Sequence, residues 1–242
     1  MKIIISLITI LISISLFSNN YDSVAYRKTI NNKAKYFLNS ITNKQKTIET
    51  IIIDAKVDII KKNIRMRGDM KIYMTSSNKI LIETSVLGFK ISTLLIKNGK
   101  IYFKNNIKNT LKIRRATKRN ISRYIPIKLS LNQFKQMIKG APPVIVYDII
   151  TFNNNSELVL KNYKETQYLY FNKNKEIIKM TLFQNNKKRL NIKFLNIKYK
   201  NGYSYASKII FKDYKKNVKS KMYITSIKFN KKINKNIFNT LK

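Results

Sequence analysis

From Ile51 to Phe229 apolar and polar residues mostly alternate with a period of two, and that rhythm is broken once. The break is Ile125–Pro143, IPIKLSLNQFKQMIKGAPP, which holds all three prolines of the chain and one of its five glycines. Within it Leu131, Phe134 and Ile138 recur at helical offsets, with Met137 beside them on the same stripe. Pro126 opens the segment, Gly140 stands where a helix C′ residue belongs, and Pro142–Pro143 stop any continuation. A helix of about eleven residues is marginal by itself in water. Its apolar stripe must therefore cover something, and the flanking alternation supplies a sheet.

Before the break, Ala55, Val57 and Ile59 alternate with polar partners, as do Met70, Ile72 and Met74, and then Ile80 and Ile82. Gly88, in TSVLGFK, permits a tight turn, and Asn98–Gly99 is a strong hairpin signal between 91–97 and 100–104. After the break come the apolar run Val144–Thr151 and the polar loop Asn153–Ser156. Six strand-like runs follow, at 157–163, 166–172, 176–183, 188–199, 203–212 and 217–229. The alternation slips at Phe194–Leu195, where a bulge is expected. Many outward positions are lysine, so one face is apolar and the other cationic. Residues 31–46, with Ala34, Phe37, Leu38 and Ile41, form an amphipathic helix ahead of the sheet. The expected class is mainly β (α+β): an incomplete antiparallel barrel of about eleven strands with an N-terminal helix and a central helical lid, a single domain over 19–242. Such a curled sheet leaves an interior for an apolar guest.

Composition narrows the chemistry. Cysteine and histidine are both absent, which excludes disulfides, thiolate nucleophiles and the commonest acid–base residue. Eleven scattered carboxylates form no evident triad or metal set, so neither catalysis nor a metal or cofactor is expected. The formal charge of +39 attracts polyanions of every kind, although the joint abundance of Lys, Asn and Ile would also follow from A/T-rich codons. Met1–Ser18 has an early lysine and an apolar run of signal-peptide length, with an uncleaved anchor as the alternative. Export argues against a nucleic-acid partner.

Three stretches resemble the LolA/LolB superfamily of lipoprotein carriers and receptors, the LolB-like branch most of all. They are the helix and strand leading to Met66–Arg67–Gly68, the Ser85–Val86–Leu87–Gly88 loop before a hairpin, and IPIKLSLNQFKQMIKGAPP itself. The resemblance spans about residues 30–143 in its motifs. It implies a half-barrel closed by helices that holds the acyl chains of lipoproteins, with no enzyme activity. It implies that Leu87, with Gly88, enters the membrane during transfer, and that Leu131, Phe134, Met137 and Ile138 face the cavity. The receptor is anchored through a cysteine that this chain lacks, and Val86 replaces a loop proline.

The resulting expectation is a monomeric periplasmic carrier or receptor, peripheral to or anchored at the outer membrane. Acyl chains of lipoproteins or phospholipids would contact Leu131, Phe134, Met137, Ile138, Ile72, Ile82 and Phe89. Arg114, Arg115, Lys118 and Arg119 would meet anionic head groups at the membrane surface. The alternatives are a phospholipid- or glycolipid-binding protein of the same fold without lipoprotein cargo and, in another class, a basic nucleic-acid-binding protein whose tyrosines stack on bases.

Overall fold

The computed structural model describes residues 32–43, 45–125, 129–154 and 156–241. Met1–Ser18 and Pro126 lie outside the described residues. Helix α1 covers 32–43 and is followed by six strands: β1 Thr50–Lys61, β2 Ile64–Thr75, β3 Ile80–Val86, β4 Phe89–Lys97, β5 Lys100–Asn105 and β6 Thr110–Arg115. Two short helices come next, α2 Lys118–Tyr124 and α3 Leu131–Ile138. Seven strands complete the sheet: β7 Ile149–Asn154, β8 Glu157–Lys161, β9 Glu165–Phe171, β10 Ile177–Gln184, β11 Lys187–Lys200, β12 Tyr203–Asp213 and β13 Val218–Phe229. A 3-10 turn, Lys235–Asn239, follows the last strand.

All thirteen strands join one antiparallel sheet in the order β6-β5-β4-β3-β2-β1-β13-β12-β11-β10-β9-β8-β7. Each half is a meander of nearest neighbours, and the first and last strands meet at the centre, Ile51 opposite Phe229 and Val57 opposite Met222. The sheet is open, with β6 and β7 as its edges. The incomplete barrel with helices is thus present, with thirteen strands where about eleven were expected. One of the additional strands is β6, drawn from the basic run 110–115, which periodicity alone left as a strand end and loop. The apolar run Val144–Thr151 enters the sheet only at Ile149, and β7 extends into the expected loop as far as Asn154.

The concave face carries the alternating apolar positions: Ile51, Ile53 and Ala55 of β1 are buried, as are Ile72, Met74, Ile80, Ile82, Leu94 and Ile96 across β2–β4. Helices α1 and α3 close over them. Phe37 of α1 packs edge-on against Phe152 and Phe171, ring centroids 5.3 and 5.2 Å away. The predicted slip in β11 occurs one residue later, at left-handed Asn196, without a bulge. Leu195 pairs with Lys208 and Ile197 with Ala206, so the register is kept while both strands turn over together.

The convex face is less uniform than the lysine pattern implies. On its C-terminal part Lys179 and Lys208 lie over the cross-strand rings of Tyr170 and Tyr223, at 4.4 and 5.3 Å. Over β3–β5, by contrast, Leu81 and Leu95 are almost wholly buried under the C-terminal segment, which lays Phe238 and Leu241 on them. Lys97 Nζ holds that segment by donating to the Phe238 carbonyl at 2.9 Å.

Candidate functional site

Helix α3 is only eight residues long, and its ends are fixed by side chains. Ser130 Oγ accepts from the Gln133 amide at 3.2 Å while Gln133 Oε1 accepts from the Ser130 amide at 2.9 Å, a reciprocal capping box. Gln133 Nε2 donates to the Val144 carbonyl and Gln136 Oε1 accepts from the Val144 amide, both at 3.1 Å, so the extended segment leaving the helix is tied back to it. Gly140 turns at φ +77°, and a Cβ there would fall 2.5 Å from the Ser204 carbonyl oxygen. The helix end is pressed against the β11–β12 turn with no room for a side chain. Lys139 Nζ donates to the Ile48 carbonyl at 2.6 Å, and Lys135 Nζ bonds Asn78. Burial pushes both amines below the ordinary lysine range, Lys139 further aided by repulsion from Lys135. The lid is fastened on both sides.

Beneath it lies an apolar cavity of about 70 Å³. Ile72, Ile82, Leu94 and Phe103 form one wall, Met222 and Phe211 another, and Phe134, Met137, Tyr124 and Ile125 the roof. Four predicted contacts, Ile72, Ile82, Phe134 and Met137, meet here. Ile138 is buried but faces a narrower void of about 20 Å³ with Phe194 and Ile197. Leu131 is half-buried and packs on the core without lining either space. Phe89 is elsewhere: it is 78% exposed at a hairpin tip. Among the other strand liners, Val57, Ile59 and Met70 lie on the alternating apolar positions legible in the sequence. Tyr124 and Ile125 were not legible, because α2 grows from a basic run and owes its start to the Thr117 cap. The interior is also tighter than a curled sheet suggests. A cavity near 150 Å³ admits benzene, so 70 Å³ holds no acyl chain until α2 or α3 moves.

The Leu87–Gly88 turn has φ of +50° and +82°, the two left-handed central positions of a two-residue hairpin loop. Thirteen non-glycine residues among those described adopt positive φ; ten are Asn, two are Lys, and Leu87 is the remaining one. It is 90% exposed. The strands β1 to β6 turn back and forth, so the Lys62–Asn63, Leu87–Gly88 and 106–109 turns share one end. Ile64, Phe89 and Ile107 are exposed there as well. Under the tip, Gly68 lets β2 approach: a Cβ would sit 2.5 Å from the Ser85 carbonyl oxygen. Beside it runs a groove of about 470 Å³ bearing Lys56, Arg65 and Arg67. The Arg65 guanidinium bonds Asp58, Nε to Oδ1 at 2.9 Å, and holds that carboxyl below the usual range.

The predicted head-group cluster is not beside this tip. Arg114 and Arg115 end β6 next to the Asn98–Gly99 turn, and Ala116 donates to the Gly99 carbonyl at 2.8 Å. Lys118 and Arg119 begin α2, and Lys118 reaches Glu165 at 3.7 Å. The nine residues of β4 separate the two sites, roughly 25–30 Å at about 3.3 Å per residue. The groove beside Leu87 bears Lys56, Arg65 and Arg67 together with Asp58 and Asp69.

No family model and no curated protein matches the sequence. Solved structures do match the fold. A DUF1329 family protein from Desulfovibrio piger superposes with a TM-score of 0.65 at 11% identity, covering 87% of this chain and 98% of that one. An outer membrane lipoprotein-sorting protein domain from Vibrio parahaemolyticus gives 0.61 at 11% identity, covering 86% and 97%. A LolA superfamily protein from Nitrosomonas europaea gives 0.59 at 11% identity, covering 85% and 96%. The architecture is therefore the one seen in LolA-like proteins.

Proposed function

We propose that this protein is a periplasmic carrier or receptor that takes acyl chains of lipoproteins under α3 and passes them to a membrane, with Leu87 entering the lipid. It is no enzyme on this reading. The observation that carries it is the Leu87 turn. A leucine at a left-handed position costs about 1–2 kcal/mol relative to the right-handed form, and at 90% exposure it gains nothing from the core. A lipid phase is a medium in which that leucine repays its placement. Ile64, Phe89 and Ile107 at the same end widen the apolar contact, and the nearby groove keeps a small cationic excess, Lys56, Arg65 and Arg67 against Asp58 and Asp69, that suits anionic lipid. The shared fold with a lipoprotein-sorting domain supports the choice of cargo.

The energetics require the lid to move, and they permit it. Lifting α3 exposes Phe134, Met137 and Ile138, at roughly 1.5–3 kcal/mol each, and breaks the Lys139 and Lys135 hydrogen bonds, at about 1 kcal/mol apiece. One chain of about fourteen carbons brings about 0.8 kcal/mol per methylene, some 11 kcal/mol in all. Cargo can thus displace the lid, and an empty carrier closes again. The test is transfer of a triacylated peptide to anionic liposomes by wild type and Leu87→Glu. Transfer by the variant should fall at least about tenfold, the worth of one inserted leucine. Unchanged transfer would remove the insertion step. Mass spectrometry of the lipid that co-purifies distinguishes lipoprotein cargo, seen as a triacylated peptide, from free phospholipid.

A further inference from the structure

The edge strand β6 departs from the pattern of the sheet. All six of its residues are exposed. In β1–β4 the concave positions are mostly apolar, whereas in β6 they are Thr110, Lys112 and Arg114, opposite Asn105, Phe103 and Ile101. Leu111 and Ile113 point to the convex side instead and stay 43% and 55% exposed. The backbone of the strand is open as well. Ala116 N donates to the Gly99 carbonyl, so by alternation Thr110, Lys112 and Arg114 are the residues bonded to β5. The N–H and C=O groups of Leu111 and Ile113 therefore point out of the sheet and meet no partner among the described residues. The next outward carbonyl, that of Arg115, is already taken by Thr117 N and Asn120 Nδ2, at 2.9 and 3.0 Å. The free edge is short and ends where α2 begins.

Charge selects what can lie along it. Lys100–Arg123 contains nine Lys and Arg, and no Asp or Glu occurs from Thr84 to Tyr147. Among the described residues only Lys118 of those nine has an ion pair, with Glu165 at 3.7 Å. A second copy of β6 would set Lys112 and Arg114 against like charges, which disfavours self-pairing. We propose that β6 takes up an extended acidic segment of a partner protein as one more antiparallel strand. The backbone of that segment bonds the outward groups of Leu111 and Ile113. Its side chains alternate, carboxylates on the concave side beside Lys112 and Arg114 and aliphatic groups on the convex side beside Leu111 and Ile113. The partner is read as a period-two run of acidic and apolar residues, independently of any acyl cargo.

The test is fluorescence anisotropy of the whole protein with a labelled peptide that alternates glutamate and valine, at physiological salt. In antiparallel pairing the valine amides face β6. N-methylation at the valines should weaken binding about tenfold, as two lost hydrogen bonds imply, and N-methylation at the glutamates should leave it unchanged. Ile113→Pro removes one outward N–H and spares the ladder to β5, so binding should fall about fivefold. Lys112→Glu combined with Arg114→Glu should weaken it about tenfold. Both variants are checked by thermal melting, and the N-methylated peptides need no variant at all. Equal binding of the valine-methylated and parent peptides would overturn strand addition and leave charge attraction only. Equal binding of a peptide with glutamine for glutamate would overturn the acidic partner. Undiminished binding by Ile113→Pro would put the peptide elsewhere on the protein. No binding of the parent peptide would mean that Lys112 and Arg114 guard the edge against pairing. None of these outcomes bears on acyl carriage.

Discussion

Strand β4 is bracketed by two turns with nearly the same backbone and opposite side chains. At one end Asn98–Gly99 has φ of +49° and +69°; at the other Leu87–Gly88 has +50° and +82°. Asn tolerates the left-handed region because its short polar chain bonds locally, and Asn-Gly is the favoured pair for such a turn. Leucine has no such compensation. Folding asks the same of both turns, so the proposed entry into lipid gives leucine a reason to stand where asparagine is the favoured residue. The difference also assigns polarity to the molecule. The end with leucine carries the exposed Ile64, Phe89 and Ile107, while the other end of β4 carries Arg115 beside the start of α2.

The comparison is open to attack at three points. The largest effect is expected below the leucine turn, where Gly68→Ala forces a Cβ against the Ser85 carbonyl. Overpacking against backbone should cost about 2–3 kcal/mol in urea denaturation. Gly99→Ala, with open space around it, should cost only about 1 kcal/mol for the left-handed φ. Equal losses would mean that close packing under the leucine tip is no constraint. Next in size, Asn98→Leu should lower stability by about 1 kcal/mol and leave lipid transfer to liposomes untouched; a change in transfer would show that both turns meet the membrane. The smallest effect is the converse. Leu87→Asn should raise stability by about 0.5–1 kcal/mol while transfer falls. A variant that is no more stable would show that leucine is unstrained at that turn, and the contrast between the two would lose its meaning.

Much of this was legible residue by residue. The period-two face of Ile51, Ile53, Ile72 and Ile82 specified a sheet with one buried side, because neighbours two apart on a strand share a face whatever the topology. The lid was legible from its own segment, since the stripe, the Gly140 stop and the prolines act within a few residues of one another. The site was only half visible. Ile72, Ile82, Phe134 and Met137 line one cavity, whereas Phe89 stands at the tip and the Arg114 cluster lies a strand length from Leu87. Residue type cannot report which end of a strand a turn occupies relative to another charge cluster.

By itself, then, the sequence determined the local alphabet of this protein: strands, turns, one capped lid and a surface dominated by lysine. The tertiary structure decided what touches what. It set β1 beside β13, turned the basic run 110–115 into an edge strand, folded the C-terminal segment over Leu81 and Leu95, and narrowed the cavity to about 70 Å³. Those outcomes depend on contacts between residues far apart in the chain, whose strengths are settled jointly by packing. Alternation in one strand carries no record of the strand that will lie next to it.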